Sequence, residues 1–74
     1  MTPSQCSAAR GALRLTLQQL AQAAEVGVNS ITRFEKGQAV DRHVIERMKA
    51  ALTKSGITFL EDDGAGAGIR WHAG

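Results

Sequence analysis

The stretch that decides the fold is TLQQLAQAAEVGVNSITRFEKG, residues 16–37. Its apolar residues recur at helical spacing in two short runs. The first run begins with Thr16 and Gln19, a T-x-x-Q capping box that marks a helix N-terminus, and we expect this helix over residues 17–24. Residues 25–27 then form a tight turn.

The second run predicts a helix over residues 28–36, which ends at Gly37 because glycine readily adopts the left-handed conformation of a helix cap. At about 100° per residue, its side chains separate into two faces. Ile31 and Phe34 lie on a face suited to a core. The opposite face carries groups able to meet DNA base edges and phosphates. These outward residues are Val28, Asn29, Thr32, Arg33 and Lys36.

Two further helices flank this pair. Thr2 and Gln5 form a second capping box, with a proline at the first helical position, and predict a helix over residues 3–13. Asp41 is the expected N-cap of a fourth helix, which ends at Gly56. We therefore predict a helical core of four short helices.

The tail after the fourth helix changes character. Residues 57–60 and 69–71 are short β-prone runs separated by an acidic, then Gly/Ala-rich segment, which predicts a two-stranded hairpin. The chain thus divides into a helical domain, residues 1–56, and a β tail, residues 57–74. An isolated hairpin is marginally stable, so its apolar side chains need either the helical core or a second subunit. These side chains are Phe59, Ile69 and Trp71.

Charge is unevenly placed along the 74 residues, whose net charge is +2. Residues 1–56 hold eight Lys or Arg against four Asp or Glu, a net +4, and residues 57–74 hold one against three, a net -2. The helical part can therefore meet a polyanion. Because a small core supplies only a few kcal/mol, a partner chain would add stability.

Several classes of protein are not expected from the composition. Cys6 is the single cysteine and the two histidines are distant, which argues against a disulfide or metal site, and we expect Cys6 to be buried. No carboxylate pair or nucleophile with a base stands out, so we expect neither an enzyme nor a cofactor. Without a long apolar run or a secretory signal, we expect a cytoplasmic protein that does not bind membranes.

The array of core and capping residues resembles the helix-turn-helix domain of the Cro/repressor (Xre) family of DNA-binding regulators. The resemblance covers about residues 7–57 and implies a mainly α, lambda-repressor-like domain. The tail, residues 57–71, is similar to one that follows this domain in small proteobacterial regulators. The positions that carry the resemblance are Leu20, Ala21, Val26, Ser30, Ile31, Phe34, Glu35 and Gly37.

The resemblance makes the helix over residues 28–36 the recognition helix, with its N-terminal part at base edges in the major groove. Arg33 can pair with guanine, Asn29 with adenine, and Val28 can touch a thymine methyl group, with Thr32 beside them. Arg33 as a surface arginine, and Asn29 as a phosphate ligand or helix cap, are the alternatives.

Phosphate contacts are implied for four residues, Thr16, Gln18, Lys36 and Arg42. The chain departs from the family at Leu17, where a phosphate-binding glutamine is common. An alternative for Arg42 is a surface charge.

The resemblance also implies an ion pair between Arg10 and Glu35, which joins the first and third helices. Arg14 and Glu25 stand where the family often has glycine, so their turns are less permissive, and Glu25 is a candidate for a left-handed conformation.

These observations favour a transcriptional regulator that binds double-stranded DNA as a homodimer on an inverted repeat, with the tail as the dimerisation element. Two alternatives remain open. One is an antitoxin whose tail neutralises a partner protein while its helices regulate its own operon. The other is a protein-interaction module that adds a strand to its partner and does not bind DNA.

Overall fold

Four helices and a hairpin follow one another along the chain, as predicted. The computed structural model describes residues 1–62, 64 and 66–72. The elements are α1 (Pro3–Ala12), α2 (Leu17–Ala24), α3 (Val28–Glu35), α4 (Arg42–Lys54), β1 (Ile57–Leu60) and β2 (Gly68–Trp71).

Reciprocal capping boxes start the first two helices. Thr2 Oγ1 accepts a hydrogen bond from the Gln5 amide at 3.1 Å, and Gln5 Oε1 accepts one from the Thr2 amide at 2.8 Å. Thr16 and Gln19 repeat this arrangement at 3.0 and 2.9 Å. Both boxes satisfy amides that have no acceptor inside the helix, which confirms the predicted helix starts.

The turn between α2 and α3 depends on a left-handed residue. Glu25 has φ 57° and ψ 46°, and the next amide, Val26 N, donates to Ala21 O at 3.0 Å. Val26 packs against the core, and Gly27 is the N-cap of α3. The predicted left-handed Glu25 is therefore confirmed.

Two helices end one residue earlier than predicted. Leu13 and Lys36 were expected inside α1 and α3, but each is the C-cap residue, with ψ close to 0°. Gly37 follows with φ 80°, the left-handed conformation expected of it. A cap residue closes the last turn without extending the helix, so the shift does not change which side chains face the core.

The core is formed by all four helices and the first strand. α2 contributes Leu20, Ala21 and Ala24, and the small alanines let the neighbouring helices approach closely. Ile57 of β1 is 1% exposed, so the tail supplies part of the core. The other buried hydrophobic residues are Cys6, Ala9, Ile31, Phe34, Met48 and Leu52.

The hairpin is tied to α1 at its loop end. β1 and β2 are antiparallel, with Ile57 opposite Trp71 and Leu60 opposite Gly68. At the loop end, the buried Gln5 donates from Nε2 to the carbonyl oxygens of Leu60 and Gly68, at 2.8 and 2.9 Å. Of the predicted connecting segment, residues 63 and 65 lie outside the described part of the chain.

Gly56 joins α4 to the hairpin in a conformation that suits only glycine. Its φ is +103°, and a Cβ added there would lie 2.6 Å from the backbone oxygen of His72. We expect Gly56→Ala to lower the free energy of unfolding by more than about 1 kcal/mol in urea titrations.

The matched control for this variant is Gly11→Ala in α1. A Cβ at Gly11 meets nothing within 4 Å, and alanine is the better helix former by about 1 kcal/mol, so this variant should be more stable than wild type. A Gly56→Ala variant as stable as wild type would contradict the close approach of the His72 backbone oxygen to Gly56.

Candidate nucleic-acid interface

Arg10 and Glu35, the pair implied by the resemblance, are in direct contact. Arg10 Nε and Nη2 donate to the two carboxylate oxygens of Glu35 at 2.9 and 3.0 Å. Arg10 Nη1 also donates to the carbonyl oxygen of Leu15 at 3.2 Å. The two side chains are only 24% and 14% exposed. One guanidinium therefore joins α1, the turn before α2 and the C-terminal end of α3.

The Cys6 thiol completes the surroundings of the Glu35 carboxylate. Cys6 is fully buried, as predicted, and its Sγ donates to Glu35 Oε2 at 3.6 Å. Burial and the nearby negative charge of Glu35 raise the pKa of Cys6 to about 12. The hydrogen bond to Glu35 raises the pKa of the Arg10 guanidinium. The Arg10 guanidinium is therefore charged at neutral pH, and the Cys6 thiol is protonated.

The α3 helix has one buried and one outward face. Ile31 is fully buried and Phe34 is 7% exposed. On the other face, Asn29 and Arg33 are exposed, and Val28 and Thr32 are partly exposed. The structure therefore brings the four predicted base-contacting residues together on the outward face of one helix.

Two of these outward side chains have hydrogen bonds within the chain. Thr32 Oγ1 donates to Val28 O at 3.3 Å, so its hydroxyl offers an acceptor, and its methyl group an apolar contact. Arg33 Nη2 lies 3.5 Å from Ala39 O, longer than a usual N–H···O hydrogen bond, so little is lost if the guanidinium turns towards a ligand.

Asn29 does not have the capping role considered for it. The N-cap of α3 is Gly27, and no side chain caps this helix.

The N-terminus of α2 holds the first group of predicted phosphate contacts. Thr16 Oγ1 accepts the Gln19 amide, which leaves its hydroxyl hydrogen available to donate, and Gln18 is exposed. Leu17 packs against the core instead of pointing at a ligand. The amides of the first helical residues have no acceptor inside the helix, so they can bind an anion.

Lys36 and Arg42 stand at the ends of two other helices. Lys36 is exposed at the C-cap of α3, and Arg42 is the first residue of α4. Arg42 Nε lies 3.4 Å from Glu46, with the two side chains 89% and 61% exposed. Such an exposed pair contributes little to the free energy of unfolding, so Arg42 remains available to a phosphate.

The three predicted dimerisation residues lie on one face of the hairpin, because cross-strand partners share a face. Phe59, opposite Ile69, packs with it against the helical core, and Lys49 Nζ lies 5.7 Å from the centre of the Phe59 ring. Trp71 lies opposite the buried Ile57 but is 48% exposed. Of the three, Trp71 is therefore the one most available to a partner.

Sequence reasoning missed two features near these sites. It assigned Gln5 only to the helix cap, whereas Gln5 also holds the hairpin, and no local signal indicates this. It treated Arg14 only as a residue in a less permissive turn, whereas the structure places an exposed arginine there with φ 56°. For Arg14 the sequence did hold a signal, namely an arginine at a turn position where the left-handed conformation favours glycine.

No helix in the described part of the chain has the length and hydrophobicity to cross a bilayer, and the described residues contain no group of three or more potential metal ligands. Neither the known protein families nor the curated proteins match this chain.

The Arg10–Glu35 pair yields a stability prediction. Arg10→Met keeps much of the apolar stem of the side chain but leaves the Glu35 carboxylate with no cation, which costs up to about 3–5 kcal/mol when fully buried. Because this pair is slightly exposed, we expect Arg10→Met to lower the free energy of unfolding by about 2 kcal/mol and the Tm by roughly 10 °C.

Arg42→Met is the matched control, because it removes the arginine of the exposed pair with Glu46. We expect the free energy of unfolding of this variant to lie within about 0.5 kcal/mol of that of wild type. Equal thermal stability of the two variants would contradict a structural role for the Arg10–Glu35 pair.

Proposed function

We propose that this protein is a sequence-specific DNA-binding transcriptional regulator of the Cro/repressor (Xre) type, which binds an inverted-repeat operator as a homodimer in the cytoplasm. The observation that carries this proposal is the division of α3, with Ile31 and Phe34 in the core and Asn29 and Arg33 exposed. A three-residue turn joins it to α2, as in helix-turn-helix proteins. The proposal requires no cofactor and no catalytic step.

Base readout is assigned to the outward face of α3. Arg33 pairs with a guanine through two hydrogen bonds, and Asn29 pairs with an adenine. Val28 and the methyl group of Thr32 supply apolar contacts to thymine methyl groups. The long Arg33–Ala39 contact of 3.5 Å supports this assignment, because it leaves the guanidinium easily displaced.

Phosphate binding is assigned to the residues around this face. Thr16 and Gln18 at the start of α2 donate to one phosphate, and Lys36 and Arg42 bind others. The inward engagement of Glu35 by Arg10 supports this arrangement, because it directs the one carboxylate of α3 away from the DNA.

The homodimer follows from the size of the reading element. The α3 helix has eight residues and is therefore about 12 Å long, so it meets only a few base pairs. Two copies on half-sites about one helical turn apart double the contacts and make the operator two-fold symmetric.

Selection of bound duplexes from a random pool at fixed salt tests base readout. We expect wild type to enrich an inverted repeat, and Arg33→Ala and Asn29→Ala each to lose preference at one position per half-site, a discrimination of about 1–3 kcal/mol. Lys36→Ala is the comparison, because loss of a phosphate contact should weaken all sequences alike. Failure of wild type to enrich any sequence would contradict the proposal.

Protein binding through the tail is the second candidate function, as an antitoxin or an interaction module. The exposure of two large apolar side chains favours it: Trp71 is 48% and Leu60 is 36% exposed. Aromatic side chains at such positions often anchor protein interfaces. A toxin-like reading frame beside the gene would favour the antitoxin.

Oligomeric state and salt-dependent DNA binding together distinguish the regulator from the interaction module. For the regulator we expect a dimer by light scattering at micromolar concentration, which Trp71→Ser converts to a monomer of weaker operator affinity and unchanged base preference. Leu60→Ser is the control, since Leu60 lies on the other face of the hairpin and should not affect dimerisation. A monomeric wild type without salt-dependent DNA binding would favour the interaction module, because an antitoxin that regulates its own operon would also bind DNA.

A further inference from the structure

Arg14 occupies a backbone position that a glycine would fill without strain. The residue has φ 56°, in the turn between α1 and α2. Its amide donates to Gly11 O at 3.1 Å, and the amide of Leu15 donates to Arg10 O at 2.9 Å, a pattern that closes a helix with a left-handed residue. Glycine adopts this conformation far more readily than a residue with a long side chain.

The Arg14 side chain is exposed, so the core does not explain its presence. Strained conformations of this kind are often found at binding sites, where the side chain serves a purpose other than stability. A surface guanidinium that the fold does not need suggests a ligand outside the protein. Its chemistry suits an anion with several oxygens, such as a phosphate diester.

Arg10 places this turn beside α3. The carbonyl of Leu15, the residue after Arg14, accepts from Arg10 Nη1 at 3.2 Å, while Nε of the same guanidinium holds Glu35 at 2.9 Å. Lys36 follows Glu35 directly, and Thr16 follows Leu15. The turn that carries Arg14 is therefore tied to the end of α3 that carries Lys36.

We propose that Arg14 binds a backbone phosphate of the DNA, next to the groove that α3 enters. This inference rests on the proposed function and adds a phosphate ligand at a position where the resembling family often has glycine. Because a phosphate contact does not read sequence, Arg14 contributes affinity and registers the domain on the duplex.

The test measures the affinity of the full chain for a selected operator and for random duplex DNA, between about 50 and 200 mM salt. The slope of log K against log salt is negative, and each lost phosphate contact reduces its magnitude by about 0.9, so we expect Arg14→Gly to make the slope shallower by about 0.9 per bound subunit. The loss of affinity should be the same for both duplexes. The Tm of Arg14→Gly should not fall, because glycine accepts the left-handed conformation.

Two controls separate a specific contact from general charge. Arg14→Lys keeps a cation and should keep the wild-type slope. Arg70→Gln removes one positive charge from an exposed position on β2 and should leave the slope unchanged.

An unchanged slope for Arg14→Gly would overturn the role of Arg14, as would an equally shallow slope for Arg70→Gln. Both results would leave the proposed function intact. Absence of salt-dependent binding by wild type would overturn the proposed function, and this inference with it.

Discussion

The contact of Arg10 with Glu35 and Leu15 is the constraint on which the arrangement of the helical domain depends. Apolar contacts in the core are not directional, whereas a guanidinium that meets both oxygens of a carboxylate fixes distance and angle together. The α3 helix has eight residues and no side-chain N-cap, so its C-terminal anchor matters for its direction. A shift of Glu35 would therefore move the outward face of α3 relative to α2.

The same contact determines the charge that α3 presents. The Glu35 carboxylate pairs with Arg10 and accepts a hydrogen bond from the Cys6 thiol, so its negative charge does not offset the positive charges of Arg33 and Lys36 on the outward face. The net charge of the whole chain, +2, therefore understates how cationic this face is. A nucleic-acid ligand responds to this local distribution of charge more than to the total.

Local sequence signals predicted the helices because capping and turn chemistry act within four or five residues, as the Thr16 box and the left-handed Glu25 illustrate. Contacts between distant residues have no such signal. The Arg10–Glu35 pair was inferred only through family resemblance, and the bonds of Gln5 to Leu60 and Gly68 span 55 and 63 residues. The direction of these side chains becomes apparent only when the elements are packed.

The attachment of the hairpin to the helices limits how its exposed apolar side chains can meet a partner. Gln5 holds the loop end to α1, and Gly56 joins the other end to α4, where the two arms are held together by the amide of His72, which donates to Gly56 O at 2.8 Å. Trp71 is therefore carried on a hairpin that is attached at both ends. A fixed frame lowers the entropic cost of association. Because Leu60 lies on the opposite face, a partner that packs on the face of Trp71 leaves Leu60 in solvent.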